Sequence, residues 1–320
     1  MEKSILSLPK QFAWQPKVEN PANLKSSENI IVAGMGGSAF PVGILKIAHP
    51  ELNITNHRSY GLPHLTSNIL RQTLVITSSY SGNTEETISS FEEARKKKTP
   101  VAVLTVGGKL LALAKKHKVP YIQIPDTGIQ PRAATGFVVV GLSKLLGLKN
   151  EKNFSALSKS LKSEKWSKVG KALAENLWDQ IPVVYASAKN ADLARVWKIK
   201  FNENTKIPAF WNFLPEMNHN EMTGFDSAKT TAKLNQNLHL IFLEDLMDHP
   251  RTRKRFAVTK KILTQKGISN SSVPIAGKNI WEKIFNSTLL ADWTSVHLAK
   301  YYGVDPENVP MVEQFKKLIK

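Results

Sequence analysis

A chain of 320 residues with 42% hydrophobic content is long enough for two domains with separate cores, and it is neither fibrous nor disordered. The 44 Lys and Arg against 26 Asp and Glu leave a formal charge of +18, which suits an anionic small substrate as well as it suits nucleic acid. Lys is scattered along helix faces and there is no RNA-binding aromatic signature, zinc knuckle or basic heptad, so nucleic acid is not expected as a partner; the absence of cysteine excludes disulfides, thiolate nucleophiles and Cys-ligated metals.

The N-terminus, M-E-K-S-I-L-S-L-P-K-Q-F, has too short an apolar run for a signal peptide, and nothing approaches the roughly 20 apolar residues of a membrane span. A soluble cytoplasmic protein is expected. Short β-branched runs at Asn29 to Ala33, Leu52 to Asn56, Thr73 to Ser78, Val101 to Val106 and Tyr121 to Ile124 predict strands. Helical patterns at Phe40 to Ala48, Thr84 to Lys97, Lys109 to Lys116 and Ala133 to Leu148 alternate with them. That order predicts βαβ units around a parallel sheet covered on both faces.

From Lys149 to Ser167 the chain turns polar and rich in Lys and Ser, which marks a border or a surface helix. Domains of residues 1–150 and 151–320 are expected. The second half repeats the alternation, with strands at Pro182 to Ala186, Pro208 to Phe213, Leu238 to Leu243 and Val273 to Ala276. Its helices are expected at Ala191 to Asn202 and Arg251 to Gln265, and two more at Ile280 to Tyr302 and Pro310 to Lys320 close the chain. Two similar α/β halves suggest a duplication, although no residue-level repeat is visible.

Three loops carry the candidate chemistry. The first strand ends in Gly34-Met-Gly-Gly-Ser-Ala39, which formally satisfies the dinucleotide pattern G-x-G-x-x-A. The second strand ends in Asn56-His57-Arg58, without the acid that a ribose needs, so only an NADP phosphate on Arg58 would suit that reading. Gly36 and Gly37 followed by Ser38 fit better as a turn that lets another group approach the backbone. The third strand leads into Thr77 to Glu86, T-S-S-Y-S-G-N-T-E-E, where Ser78, Ser79, Ser81 and Thr84 crowd a bend before a helix. Such a bend points N–H groups and the positive end of a helix at one spot, as a phosphate requires. The same residues also make ordinary turns and N-caps, and the loop alone does not separate the two. After the fifth strand comes P-R-A-A-T-G-F, with Arg132.

G-M-G-G-S, S-S-Y-S-G-N-T-E-E and P-R-A-A-T-G-F, in that order after strands one, three and five, resemble the sugar isomerase (SIS) family. Phe201-Asn-Glu-Asn-Thr-Lys206, the run Trp211-Asn-Phe-Leu-Pro-Glu-Met-Asn-His-Asn-Glu221, and a C-terminal G-V-D-P followed by F-K-K-L-I narrow the resemblance to the bifunctional phosphoglucose/phosphomannose isomerases. It spans nearly the whole chain. It implies two SIS-type three-layer α/β/α domains with parallel sheets plus C-terminal helices. It also implies a homodimer with the active site at subunit and domain interfaces, His219 being the residue contributed across the dimer, and cofactor-free, metal-free interconversion of aldose and ketose 6-phosphates.

By position, the resemblance makes Ser38, Ser79, Ser81 and Thr84 the sugar-phosphate contacts and Arg132 the cation beside the reacting carbons. It makes Glu203 the base, with His219 and a C-terminal lysine as the ring-opening pair. Lys316 is the lysine chosen, with Lys317 and Lys300 as alternatives. Chemistry makes the same demands: a carboxylate within reach of C1 and C2 to move the proton, and a fixed guanidinium to offset the enediolate. A histidine suits proton transfer at ring opening. Each residue also has a plain structural role open to it: Glu203 as a helix partner of Lys200 or Lys206, Arg132 as a loop cap, Lys316 as a helix C-terminal charge. His219 with Glu221 supplies too few ligands for a metal.

Departures from the family pattern are Phe40-Pro41 in place of Ile-Gly after G-M-G-G-S-A, and Val309 where Thr helps accommodate the mannose epimer. Glucose 6-phosphate is therefore the expected substrate, with mannose 6-phosphate a further one. A non-catalytic SIS module sensing a sugar phosphate would keep Ser79, Ser81 and Thr84 but have no need of Glu203 and His219.

Overall fold

Two compact units make up the chain: one spans Leu6–Leu161, the other Met1–Ile5 with Lys162–Lys320. The structure, a computed structural model, describes every residue except Ser227 and Lys320. The helix α1 (Glu2–Gln11) carries the chain across the division.

The N-terminal unit is built on β1 (Asn29–Ala33), β2 (Ile54–His57), β3 (Thr73–Ser79), β4 (Val101–Thr105) and β5 (Tyr121–Gln123). All pair in parallel, in the order β2-β1-β3-β4-β5. The intervening helices are α2 (Phe40–Ala48), α3 (Ser67–Arg71), α4 (Glu85–Lys96), α5 (Gly108–Lys116), α6 (Thr135–Leu145) and α7 (Glu151–Ser160). Every residue of β3 and β4 is buried, as expected of strands covered on both faces. One face packs Ile31, Val75 and Val103 against Phe91 and Ala94 of α4 and Leu110 and Ala114 of α5.

The C-terminal unit repeats the scheme with β6 (Ile181–Ser187), β7 (Phe210–Leu214), β8 (Leu238–Glu244) and β9 (Ser269–Pro274), parallel and in the order β7-β6-β8-β9. Its helices are α8 (Ser163–Asn176), α9 (Ala191–Lys200), the short α10 (Glu221–Gly224), α11 (Pro250–Gln265), α12 (Ile280–Tyr301) and α13 (Pro310–Leu318). Tyr185, Leu240 and Phe242 of the sheet pack with Phe256 and Leu263 of α11.

The polar stretch from Lys149 folds as α7 and the start of α8, and the border lies between them rather than near residue 150. Phe154 and Leu157 are the reason. Both are buried, with the Phe154 ring 5.9 Å from that of Phe12, so α7 belongs to the first core. The expected strand at Val273 to Ala276 begins earlier, at Ser269, because β8 supplies a paired edge from His239 onward. The last helix ends at Leu318, and Lys320, which closes its expected span, lies outside the described residues. Among the described residues no helix is long and apolar enough to cross a membrane.

Candidate active site

In the N-terminal sheet the chain leaves β1 toward β2 on one side and β3 toward β4 on the other, so the loops after β1 and β3 flank a crevice at the carboxyl ends of the strands. Ligands of open α/β sheets bind at such a switch point. Ser38 ends a 3-10 turn, Gly36–Ser38, and its buried Oγ accepts the Tyr80 amide at 2.9 Å, which ties the loop after β1 to the loop after β3. Ser79, also buried, accepts the Gly82 amide on Oγ at 3.1 Å and shares a 2.9 Å hydrogen bond with Thr84 Oγ1. Gly82 at φ 71 makes the bend that glycine adopts without strain. Ser81 is exposed and accepts the Asn83 amide at 3.3 Å. Because Thr84 turns its hydroxyl to Ser79, no side chain caps the first turn of α4. Neutral hydroxyls and the positive end of α4 thus gather at one place, and no Lys or Arg belongs to the loop.

Arg132 joins this group from the chain that enters α6. It lies in a 3-10 turn, Pro131–Ala133, and is 1% exposed, with Nη1 3.5 Å from Gln130 Oε1. A Cβ at position 37 would stand 2.7 Å from the Arg132 amide nitrogen and 2.6 Å from the Pro131 carbonyl carbon, so glycine is what allows the two loops to touch. Asn56, at the end of β2, donates through Nδ2 to Ala39 O at 2.8 Å and stitches that strand to the same loop. Gly34, where a Cβ would stand 2.6 Å from Ser78 O, and Gly37 therefore serve close packing of the loops, while Gly36, with open space beside it, serves the turn through its φ of 48.

In the C-terminal unit Glu203 sits in a π-type turn, Phe201–Thr205, that extends α9 toward the amino edge of the sheet. Asn204 and Thr205 of that turn are buried and bonded to Ser295 on α12. Glu203 itself is half-buried. His219 lies beyond the opposite, carboxyl end of β7, following the 3-10 turn Glu216–Asn218, and is exposed. Its neighbours in the run are engaged. Asn218 Nδ2 donates to Thr259 Oγ1 at 2.8 Å, Asn220 Nδ2 to Glu216 Oε1 at 2.7 Å, and Glu221 accepts Tyr185 Oη and Asn212 Nδ2 at 2.6 Å each. Burial and the adjacent Glu221 carboxylate hold the Tyr185 hydroxyl protonated well above its ordinary range. A five-residue strand is roughly 16 Å long, so the unit keeps Glu203 and His219 apart. Lys316 is exposed on α13 and pairs with Glu313 at 2.7 Å.

The equivalent switch point of the C-terminal sheet, between β6 and β8, is filled by the protein's own carboxylates. Burial alone would raise Asp245, but Lys283 Nζ at 2.6 Å, the Met247 amide at 3.0 Å and Lys189 Nζ at 3.4 Å hold it below the usual carboxylate range. Asp248 beside it accepts Ser187 Oγ at 2.8 Å. Sequence reading passed over this cluster, as it did α10. Its signal in the sequence was an Asp-x-x-Asp, Asp245 to Asp248, following a strand. Among the described residues no group of three or more His, Asp or Glu side chains is placed to hold a metal.

Two parallel three-layer units with a hydroxyl cradle at a switch point define a double-SIS architecture. The family model for the bacterial phospho-glucose isomerase C-terminal SIS domain matches residues 167–319. A hypothetical protein of Thermus thermophilus shares the fold at a TM-score of 0.75 and 17% identity, over 98% of this chain and 88% of that one. The bifunctional phosphoglucose/phosphomannose isomerase of Aquifex aeolicus is 35% identical over 97% of this chain and 95% of its own length. The protein of the same name from Caldicellulosiruptor bescii is 32% identical over 99% and 98%. The chain belongs to the bifunctional phosphoglucose/phosphomannose isomerase family.

Proposed function

We propose that the chain interconverts glucose 6-phosphate and fructose 6-phosphate, and mannose 6-phosphate as well, through a cis-enediol(ate). The observation that carries this reading is the gathering of Ser38, Ser79, Thr84 and the buried Arg132 at one switch point, in a chain of a family named for that reaction. Ser38, Ser79, Ser81, Thr84 and the amides at Gly36 and Gly37 hold the substrate phosphate. Glu203 takes the C2 proton of the open-chain aldose and delivers it to C1, while the O2 proton passes to O1. Arg132 offsets the charge of the enediolate without reorganising, because its burial has already fixed it. His219 and Lys316 open the ring.

The working form is a homodimer, in the cytoplasm, with His219 supplied by a second copy. The placement of Glu203 and His219 at opposite ends of β7 supports this: a site that needs both draws them from two chains. Lys316, paired with Glu313 on an exposed helix, must give up that pair to act, which leaves Lys317 and Lys300 as alternatives. Lys300 already pairs with Glu2. Chelator-treated protein in a coupled assay should turn over fructose 6-phosphate. No turnover would overturn the proposal. The same assay on glucose 6-phosphate against mannose 6-phosphate, with Val309→Thr alongside, ranks the aldoses, and the variant is expected to gain on mannose 6-phosphate alone.

A further inference from the structure

The turn that bears Glu203 is fixed at both ends to one helix, by polar contacts that core stability does not call for. Lys200, the last residue of α9, pairs with Asp292 of α12 at 2.7 Å, and the two side chains are 1% and 7% exposed. Taking both charges out of water consumes most of what their attraction returns, and apolar residues of like volume stabilise a core as well or better. One helical turn further along α12, Ser295 receives the other end of the turn. Asn204 Nδ2 donates to Ser295 Oγ at 2.9 Å and Thr205 Oγ1 to Ser295 O at 2.8 Å. Ser295 Oγ in turn donates to Asp292 O at 3.0 Å, which joins the two anchors.

Glu203 lies between them. Its carbonyl accepts Lys206 Nζ at 2.5 Å, and Lys206 ends the turn with a left-handed φ of 62. Phe201, Asn204 and Thr205 are buried, so Glu203 is the ionisable side chain the turn leaves half open. A π-type turn holds an extra residue relative to an α-helix. If it relaxed to regular helix, the residues on one side would rotate by about 100° against the other and carry the carboxylate with them.

We infer that Lys200, Asp292 and Ser295 are positioning residues, which hold Phe201–Thr205 in its widened form and so aim the Glu203 carboxylate at the carbon-bound proton. The inference rests on the reading of Glu203 as the base. Displacement of a reacting group by 1 Å costs a factor of about 100, so the clamp governs kcat rather than substrate affinity.

Lys200→Met with Asp292→Leu removes the pair while filling its volume. This double variant should melt within a few degrees of wild type and keep KM for fructose 6-phosphate within about threefold, while kcat falls about 100-fold. Ser295→Ala, which deletes only the hydroxyl that receives Asn204, should lower kcat about 10-fold, and it decides the matter if the double variant does not fold. Built into Glu203→Gln, neither change should cost anything further, because the group they aim is already gone. A folded variant with wild-type kcat overturns the inference, and so does an additive loss on top of Glu203→Gln. Full turnover by Glu203→Gln alone sinks instead the assignment of the base.

Discussion

Ser79 places its hydroxyl at the carboxyl end of β3, where it engages both Gly82 and Thr84, while Ser81 stands exposed one step further along. In the proposed phosphate site each hydroxyl would supply one hydrogen bond to a charged oxyanion, about 1.5–3 kcal/mol. Ser79→Ala with Ser81→Ala should therefore raise KM for fructose 6-phosphate at least about 10-fold and leave kcat within a few-fold. Unchanged KM in steady-state kinetics places the phosphate elsewhere. The loops that carry the hydroxyls and Arg132 were legible as polar turns at strand ends, and it was the resemblance to the SIS family, rather than their spacing, that grouped them. The partners of those hydroxyls were not readable. Whether Thr84 caps α4 or turns back to Ser79 is decided by packing across the bend, and the spacing of the residues fits both. His219 was found by its motif, but its exposure and its distance from Glu203 follow from the direction of β7.

At the level of elements, β8 and β9 meet through a buried histidine. His239 Nε2 lies 2.7 Å from Ser271 Oγ and Nδ1 2.8 Å from Ser269 Oγ. Burial lowers its pKa from 6.5 to about 4. The unfolded chain thus binds this proton at a pH where the folded chain does not, and the stabilisation is full above pH 6.5 and fades as pH falls toward 4. The amount lost is about 3 kcal/mol. His239→Gln should be less stable than wild type at neutral pH, and the gap in melting temperature should close between pH 7 and pH 4. A constant gap contradicts this account of the strand pair. The serines also explain why the sequence misplaced β9: Ser269-Asn-Ser-Ser carries no β-branched signal, and hydrogen bonding to β8 imposes the strand. Val309 is the N-cap of α13 and offers no side-chain acceptor. Val309→Thr should therefore stabilise that helix by about 0.5–2 kcal/mol in thermal melts, apart from any effect on mannose 6-phosphate.

Over the whole molecule, the alternation of short apolar runs with helical patterns was enough to give two parallel α/β units. The border was not, because Phe154 and Leu157 are sparse in a Lys-rich segment and their burial depends on a core formed by residues far away in the chain. The two sheets share the strand order of their first four members, yet one switch point presents neutral hydroxyls and the other its own Asp245 and Asp248. The place that the second unit fills with its own carboxylates is, in the first unit, the place proposed for the substrate phosphate. The formal charge of +18 favours encounter with a phosphorylated sugar, and salt screens that attraction. KM should rise with ionic strength between about 0.01 and 0.2 M while kcat stays flat. A flat KM assigns the charge no part in substrate capture.

In the proposed reaction Glu203 carries a proton between two carbons of the substrate. Conversion of fructose 6-phosphate in D2O, followed by NMR for wild type and Glu203→Gln, tests it directly. Wild type should yield glucose 6-phosphate that keeps at C2 part of the hydrogen taken from C1, the remainder being deuterium exchanged onto the Glu203 carboxyl from solvent, and Glu203→Gln should lose at least about 1,000-fold in rate, within the range for a general base. Product formed at the wild-type rate by Glu203→Gln, or no glucose 6-phosphate from the wild-type protein, would contradict it.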